Sequence, residues 1–382
     1  MKITHKFDSG SIEVVEISDK RNIKLKLIQD NQANISQWFH FKLETTQNEL
    51  HTIKILNAGK SSFSDAWEGY QAVASYDHKT WFRVDTQFKD NQLIIKHIPK
   101  KSTISYAYFV PYNNQRQQDL LRKATASPIC RHSVLGLTHD DNNLDLLIFG
   151  KEAKHKNKVW LIARQHPGET MAHWFVEGLI LRLISGDELA NQLLEDNVFY
   201  IVPNMNPDGT IRGNHRTNAK GFNLNRHWHK PSEIDTPEVF YVQQAMKSKG
   251  VDLFLDIHGD EKIPYSFIMP ANTSCKLSKQ AIIFKHNFVK ANNSFQTEVD
   301  YNTFDNKSSC CGSSCNRLND TYGAQNLTKA SDYVANKFNC LSMILEMPFI
   351  NTDSPIDNRC ITKPFIQLGF DIAEPIYQHF SH

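Results

Sequence analysis

Val159-Trp160-Leu161-Ile162-Ala163-Arg164-Gln165-His166-Pro167-Gly168-Glu169-Thr170 joins a short apolar run to a His-x-x-Glu pair. The run has the length and composition of a buried strand. The stretch from Thr170 to Ile184, long, mostly apolar and closed by Ser185-Gly186, reads as a buried helix. Pro167 stands where a helix tolerates proline, at its first position. His166 and Glu169 are therefore expected at the carboxyl end of a strand and in the first turn of the next helix, the place where open α/β sheets gather their ligand sites.

A second piece repeats the placement. Val251-Asp252-Leu253-Phe254-Leu255-Asp256-Ile257 is strand-like, and His258 lies at its carboxyl end. Two imidazoles and one carboxylate are the ligand set of a catalytic zinc, because three protein ligands leave a fourth position for water, whereas a structural zinc is closed by four. His173 lies four residues after Glu169 on the same expected helix, but a His-Glu-x-x-His pattern is absent, so it reads as helix surface or as support to the ligands.

Between these ligands lies polar chain. Val202-Pro203-Asn204-Met205-Asn206-Pro207-Asp208-Gly209 follows the strand-like Val198-Phe199-Tyr200-Ile201, is dense in turn formers and reads as a loop. Asn214-His215-Arg216 and Phe222-Asn223-Leu224-Asn225-Arg226-His227-Trp228 then concentrate arginines and amides. The planar fork of arginine matches a carboxylate, and a neighbouring amide adds a donor. Such a segment can hold a free carboxylate.

These residues resemble the zinc carboxypeptidases of the M14 type. The resemblance is carried by His166-Pro167-Gly168-Glu169, Asn206-Pro207-Asp208-Gly209, Asn225-Arg226, His258 and Glu346 in Met343-Ile344-Leu345-Glu346-Met347-Pro348. Three longer strings are similar to the cytosolic carboxypeptidase branch: Ala163 to Thr170, Gly213-Asn214-His215-Arg216, and Tyr106-Ala107-Tyr108-Phe109-Val110-Pro111-Tyr112. The likeness runs, in order, from about Tyr106 to the C-terminus.

The resemblance implies that His166, Glu169 and His258 hold Zn2+, and that a zinc-activated water attacks the C-terminal peptide bond, or an isopeptide-like side-chain bond, of a peptide or protein. Glu346 is then the general base and acid. It further implies that Arg216 stabilises the oxyanion, and that Asn225 and Arg226, with Arg216, bind the terminal carboxylate. Two departures stand out. Many relatives carry an acidic residue where this chain has Asn223, whose amide oxygen can still accept from an imidazole. Either Tyr322 or Tyr333 is the candidate for the family's tyrosine near the substrate. An acidic C-terminal residue would need a cation, for which Lys329 and Lys337 are candidates. The alternative activities are an aspartoacylase- or succinylglutamate desuccinylase-like amidohydrolase and a non-catalytic peptide-binding relict; the string Gly213 to Arg216 and the presence of Glu346 favour the peptidase.

The chain has 382 residues, 40% hydrophobic and 22% charged, which is ordinary globular composition and enough for more than one domain. Its 43 basic and 41 acidic residues leave a net charge of +2, so no nucleic-acid or membrane footprint is expected. No stretch approaches the roughly 18 apolar residues of a membrane span, and the start lacks an apolar signal core, so a cytoplasmic setting is expected. Seven cysteines then read as thiols; Cys310, Cys311 and Cys315 lack a second pair at metal-site spacing and are expected in a loop rimming the site.

Residues 1–112 differ from the rest. Short alternating runs such as Ile23-Lys24-Leu25-Lys26-Leu27 and Phe39-His40-Phe41-Lys42-Leu43, separated by Gly, Asn and Asp turns, read as an antiparallel β-sandwich of eight or so strands. Trp38, Phe39, Trp67, Tyr70 and Trp81 are its expected core. Residues 113–382 alternate strand and helix patterns, which predicts an α/β domain with a mixed, mostly parallel sheet flanked by helices.

Overall fold

The structure, a computed structural model, describes residues 1–271, 275–300, 327–350 and 361–381. Tyr322, Cys310, Cys311 and Cys315 lie outside these residues. The first part is built from β1 (Lys2–Thr4), β2 (Glu13–Glu16), β3 (Ile23–Lys26), β4 (His40–Glu44), β5 (His51–Ile55), β6 (Val73–Ser75), β7 (Trp81–Arg83), β8 (Asp85–Lys89), β9 (Gln92–His97) and β10 (Thr103–Ala107). They form two five-stranded sheets, ordered β1-β4-β10-β6-β7 and β2-β3-β5-β9-β8. All pairs are antiparallel except β3 with β5, so the expected sandwich carries one parallel pair.

The alternation of β3, β5 and β9 explains the layering. Ile23, Leu25, Ile53, Ile55, Leu93 and Ile95 all point inward and are buried, while the intervening residues are more exposed. Trp38, Phe39, Trp67, Tyr70 and Trp81 are buried with them, each at most 5% exposed.

Helix α1 (Asn114–Thr125) opens the second part; the Asn113 side chain caps it by accepting from the Arg116 N–H. A seven-stranded sheet follows, from β11 (Cys130–Leu137), β12 (Asn143–Phe149), β13 (Asn157–Ala163), β14 (Asn197–Val202), β15 (Leu253–Asp260), β16 (Phe267–Pro270) and β17 (Leu341–Pro348), in the order β11-β12-β14-β13-β15-β17-β16. The central β14, β13, β15 and β17 run parallel, and the flanking strands pair antiparallel. Buried on both faces, the central strands are almost continuously apolar, as parallel strands must be.

The helices divide between the two faces. Helix α2 (Met171–Leu183) packs in the core shared with the sandwich, near α8 (Lys363–Asp371) and α9 (Ala373–Phe380). On the other face α5 (Pro237–Lys249) and α7 (Ala330–Phe338) cover a second core around Trp160, Trp228 and Phe254. Helix α3 (Glu188–Asp196), the short α4 (Pro207–Arg212) and α6 (Cys275–Ala291) complete the set described.

Three local readings need correction. Helix α2 begins at Met171, so Pro167 and Glu169 belong to the turn before it rather than to its first turn. Asn206-Pro207-Asp208-Gly209 is a helix start instead of a loop: the Asn206 side chain accepts from the Gly209 N–H and Pro207 fills a position that needs no N–H. His173 is wholly buried, so it is not helix surface; its ring stacks on Tyr112 at 3.9 Å and its Nδ1 lies 3.5 Å from Nη1 of Arg164, which holds the turn carrying His166 and Glu169.

Candidate active site

The turn His166–Thr170 leaves β13 through a strained residue. Arg164 has φ of +61°, in the left-handed region, and its buried guanidinium holds the turn by donating to the carbonyls of Pro167 at 2.9 Å and Tyr112 at 2.8 Å. Gly168 is a close approach: a Cβ there would stand 2.4 Å from His215 Nδ1, and its N–H donates to the His215 carbonyl at 2.8 Å.

This turn aims His166 and Glu169 at His258. Nδ1 of His166 lies 2.6 Å from Glu169 Oε1, and Nδ1 of His258 lies 2.8 Å from Glu169 Oε2. One ligand atom from each of the three falls within 4.8 Å of the others, and all three are buried. His258 lies in β15 toward its carboxyl end, as the sequence suggested, in register with Glu346 of β17. The ligand and the carboxyl therefore project from neighbouring parallel strands into one space.

The electrostatics favour a cation here. Burial works to raise the Glu169 carboxyl, but His166 and His258 override it and hold it well below the usual range. Burial pushes the His166 imidazole down to about 3, with Arg216 adding to the effect, so it offers a neutral lone pair. Burial also opposes a charge on His258, yet Asp256 and Glu169 outweigh it and lift its pKa well up. Two carboxylates thus stand against the two nitrogens of the His258 ring, a concentration of negative charge that favours a cation. The donor set of two nitrogens and a carboxylate fits zinc.

The other ring nitrogens are held from behind. His166 Nε2 lies 3.1 Å from Asn223 Oδ1 and His258 Nε2 lies 2.9 Å from Asp256 Oδ1. Asp256 is fixed in turn: Gln165 donates to its Oδ2 at 2.8 Å, and Trp228 Nε1 donates to Gln165 Oε1 at 2.9 Å. Asp256 escaped the sequence reading because it sits in an apolar run; the signal was its position two before His258, an offset that puts both on the same face of a strand.

A cavity of about 360 Å3 opens over these groups, lined among others by Phe63, Arg216, Asn225, Arg226, Lys262, Lys329, Met269, Ile344 and Glu346. Arg216 Nη1 lies 3.9 Å from Glu169 Oε1, with its guanidinium 5.5 Å from the Phe63 ring. Asn225 is anchored, its Oδ1 accepting from the Ala330 N–H at 2.8 Å and its Nδ2 lying 3.3 Å from His258 Nε2. Arg226 is exposed and donates to the Asn225 carbonyl at 2.7 Å. Burial lifts the Glu346 carboxyl well above the ordinary range; His258 opposes the shift, while Glu169, Asp260 and Glu261 add to it. Tyr333 packs at 6.0 Å from the Trp228 ring in the second core, and Lys337 is exposed on α7; neither lines the cavity.

A parallel-centred sheet with a buried His, Glu and His beside a carboxyl of raised pKa is the constellation of a zinc-dependent peptidase. The zinc carboxypeptidase family matches residues 118–358 and the cytosolic carboxypeptidase N-terminal domain matches residues 3–109, so the chain belongs to the M14 zinc carboxypeptidases. It is 36% identical to an uncharacterized protein of Zymomonas mobilis over 99% of this chain and 97% of that one. It is 28% identical to human cytosolic carboxypeptidase 1, matching over 69% of this chain but spanning only 25% of that longer protein. Among solved structures, a metallo-carboxypeptidase from Burkholderia cenocepacia is 37% identical with a TM-score of 0.91, covering 100% of this chain and 98% of that one. The metallo-carboxypeptidase from Pseudomonas aeruginosa, solved in complex with (2-guanidinoethylmercapto)succinic acid, is 38% identical with a TM-score of 0.90, covering 99% and 98%. Among the described residues no helix is long and apolar enough to cross a membrane.

Proposed function

We propose that this metallocarboxypeptidase removes the C-terminal residue of peptides or protein tails, with His166, Glu169 and His258 holding zinc and Glu346 as the base. The observation that carries this reading is the register of β15 with β17, which sets a buried carboxyl of raised pKa beside a metal-ligating imidazole. Bound zinc supplies a Lewis acid that lowers the pKa of a nearby water to about 7. Glu346 takes the proton from the attacking water and passes it to the leaving amine; its place in register with His258 on the neighbouring strand puts the carboxyl where both transfers occur. Arg216 donates to the charge developing on the carbonyl oxygen. Asn225 Nδ2 and Arg226 bind the terminal carboxylate, the anchoring of Asn225 Oδ1 on Ala330 fixing the amide with its nitrogen toward the His258 side of the cavity.

The side-chain pocket favours an acidic terminal residue. Among its charged walls, Asp260 accepts from the N–H groups of Lys262 and Ile263, and Glu261 lies 2.8 Å from His215 Nε2, whereas Lys329 lines the cavity one residue before Ala330, the anchor of Asn225. The match of residues 3–109 to the cytosolic carboxypeptidase N-terminal domain favours a peptidase over an acyl-amino-acid hydrolase, supports a cytoplasmic setting, and agrees with a division near residue 112.

The test is Glu346→Gln. The variant should keep its zinc and lose hydrolysis by about 10²- to 10⁴-fold, the range for a positioned acid or base; unchanged turnover removes Glu346 from the role. Turnover of peptides differing only in the last residue should favour Glu, and a preference for Phe or Arg would reject Lys329 as the selecting group.

A further inference from the structure

If Arg216 steadies the developing charge, the loop that carries it must be held still, and the group that holds it comes from the sandwich. Asp30 is 5% exposed. Its Oδ1 accepts from the His215 N–H at 2.6 Å, and its Oδ2 accepts from the N–H groups of Arg216 at 2.8 Å and Thr217 at 2.9 Å and from the Thr217 hydroxyl at 3.0 Å. Three successive N–H groups turned onto one carboxylate make an anion-binding concavity, with the anion built in. The same loop reaches the metal turn, because the His215 carbonyl accepts from Gly168. Next to Asp30, the Asn214 side chain donates to Asn31 Oδ1 at 2.6 Å.

We propose that Asp30 is the positioning residue of Arg216, so that the first domain completes the catalytic site. This rests on the carboxypeptidase reading above. Hydrogen bonds to a charged acceptor are about twice as strong as neutral ones; three of them fix the backbone from which the Arg216 side chain springs, and the fourth holds the Thr217 hydroxyl. An asparagine there would turn an NH2 group toward N–H donors and release the loop, while the bonds of Asp30 to this loop go to His215, Arg216 and Thr217 and not to the zinc ligands, Glu346 or the Asn225-Arg226 pair.

The experiment is a double-mutant cycle of Asp30→Asn and Arg216→Ala, with kcat, KM, bound zinc and melting temperature measured for all four proteins. Asp30→Asn should keep its zinc and lower kcat by about 10- to 100-fold, consistent with a misplaced catalytic group, with KM changed less. In the Arg216→Ala background the same substitution should cost less than about twofold, since residues acting through one another are non-additive. Equal losses in both backgrounds, or an unchanged kcat, overturn the proposal. Should Asp30→Asn fail to fold, Thr217→Val removes a single bond to Asp30 and enters the same cycle with a smaller expected loss. A wild-type protein without turnover rejects the carboxypeptidase reading instead; the cycle is then read from calorimetric binding of (2-guanidinoethylmercapto)succinic acid to the zinc-loaded protein, where additive losses overturn the role of Asp30.

Discussion

Asp256 shows how a single side chain behind a ligand shapes the site. Its carboxylate stands against His258 Nε2 and is itself held by Gln165, which Trp228 fixes in turn, so Nδ1 is the nitrogen left facing Glu169. Asp256→Asn should weaken zinc binding about 10- to 100-fold, measured by competition with a chelator; unchanged affinity would reject this support. Glu238 offers a second residue-level test. Burial, with Asp208 nearby, raises its pKa to about 8 against 4.5 for an ordinary glutamate. A raised carboxyl contributes stability that is full below about pH 4.5 and is lost as pH rises through about 8, a tenfold difference in proton affinity between folded and unfolded chain being worth about 1.4 kcal/mol. Glu238→Gln should therefore melt progressively higher than the wild type between about pH 5 and 9, and parallel melting profiles would contradict the assignment.

The element that matters most is the turn between β13 and α2. Its candidate ligands stood out by the His-x-x-Glu spacing, but its geometry did not: Pro167 suits the first position of a helix, and nothing local shows that the chain first makes a turn held by Arg164 through carbonyls of Pro167 and Tyr112. The same limit applies to Asn206-Pro207-Asp208-Gly209, where turn formers and a capped helix start are spelled with the same letters. Gly168→Ala tests the turn, because its Cβ would press on the His215 ring and the neighbouring backbone. It should destabilise the protein by about 1–3 kcal/mol as overpacking does and lower zinc content, read by melting and metal analysis; a neutral substitution would mean that the turn has slack.

Across the whole molecule, the sandwich and the catalytic sheet share one continuous apolar core. Tyr108 and Phe109 of the first part pack on Phe349 at 4.8 and 5.6 Å, and Arg83 donates to the Phe349 carbonyl at 2.7 Å. Unfolding should therefore be a single transition in calorimetry; two separated transitions would show the parts to be independent. Zinc removal should lower that transition, since a ligand at a thousandfold its Kd adds about 4 kcal/mol, and an unchanged melting temperature after chelation would speak against a tightly held metal.

Patterns with short periods were readable along the chain. Alternation pointed to the sandwich and continuous apolar runs to the central parallel strands; His166, Glu169 and His258 were picked out by residue type and spacing, Arg216, Asn225 and Arg226 by an arginine- and amide-rich segment, and Glu346 by resemblance to the zinc carboxypeptidases, and the structure brings all seven to one cavity. What needed three dimensions was every relation between residues distant in sequence. Asp30 lies 185 residues from His215, Asn223 lies 57 from His166, and Tyr333 turns away into a core although its position in the chain made it a candidate. Hydrogen bonding and burial act over a few ångströms of space, while sequence patterns report only neighbours a few residues apart, so partners supplied by another strand or another domain leave no local trace.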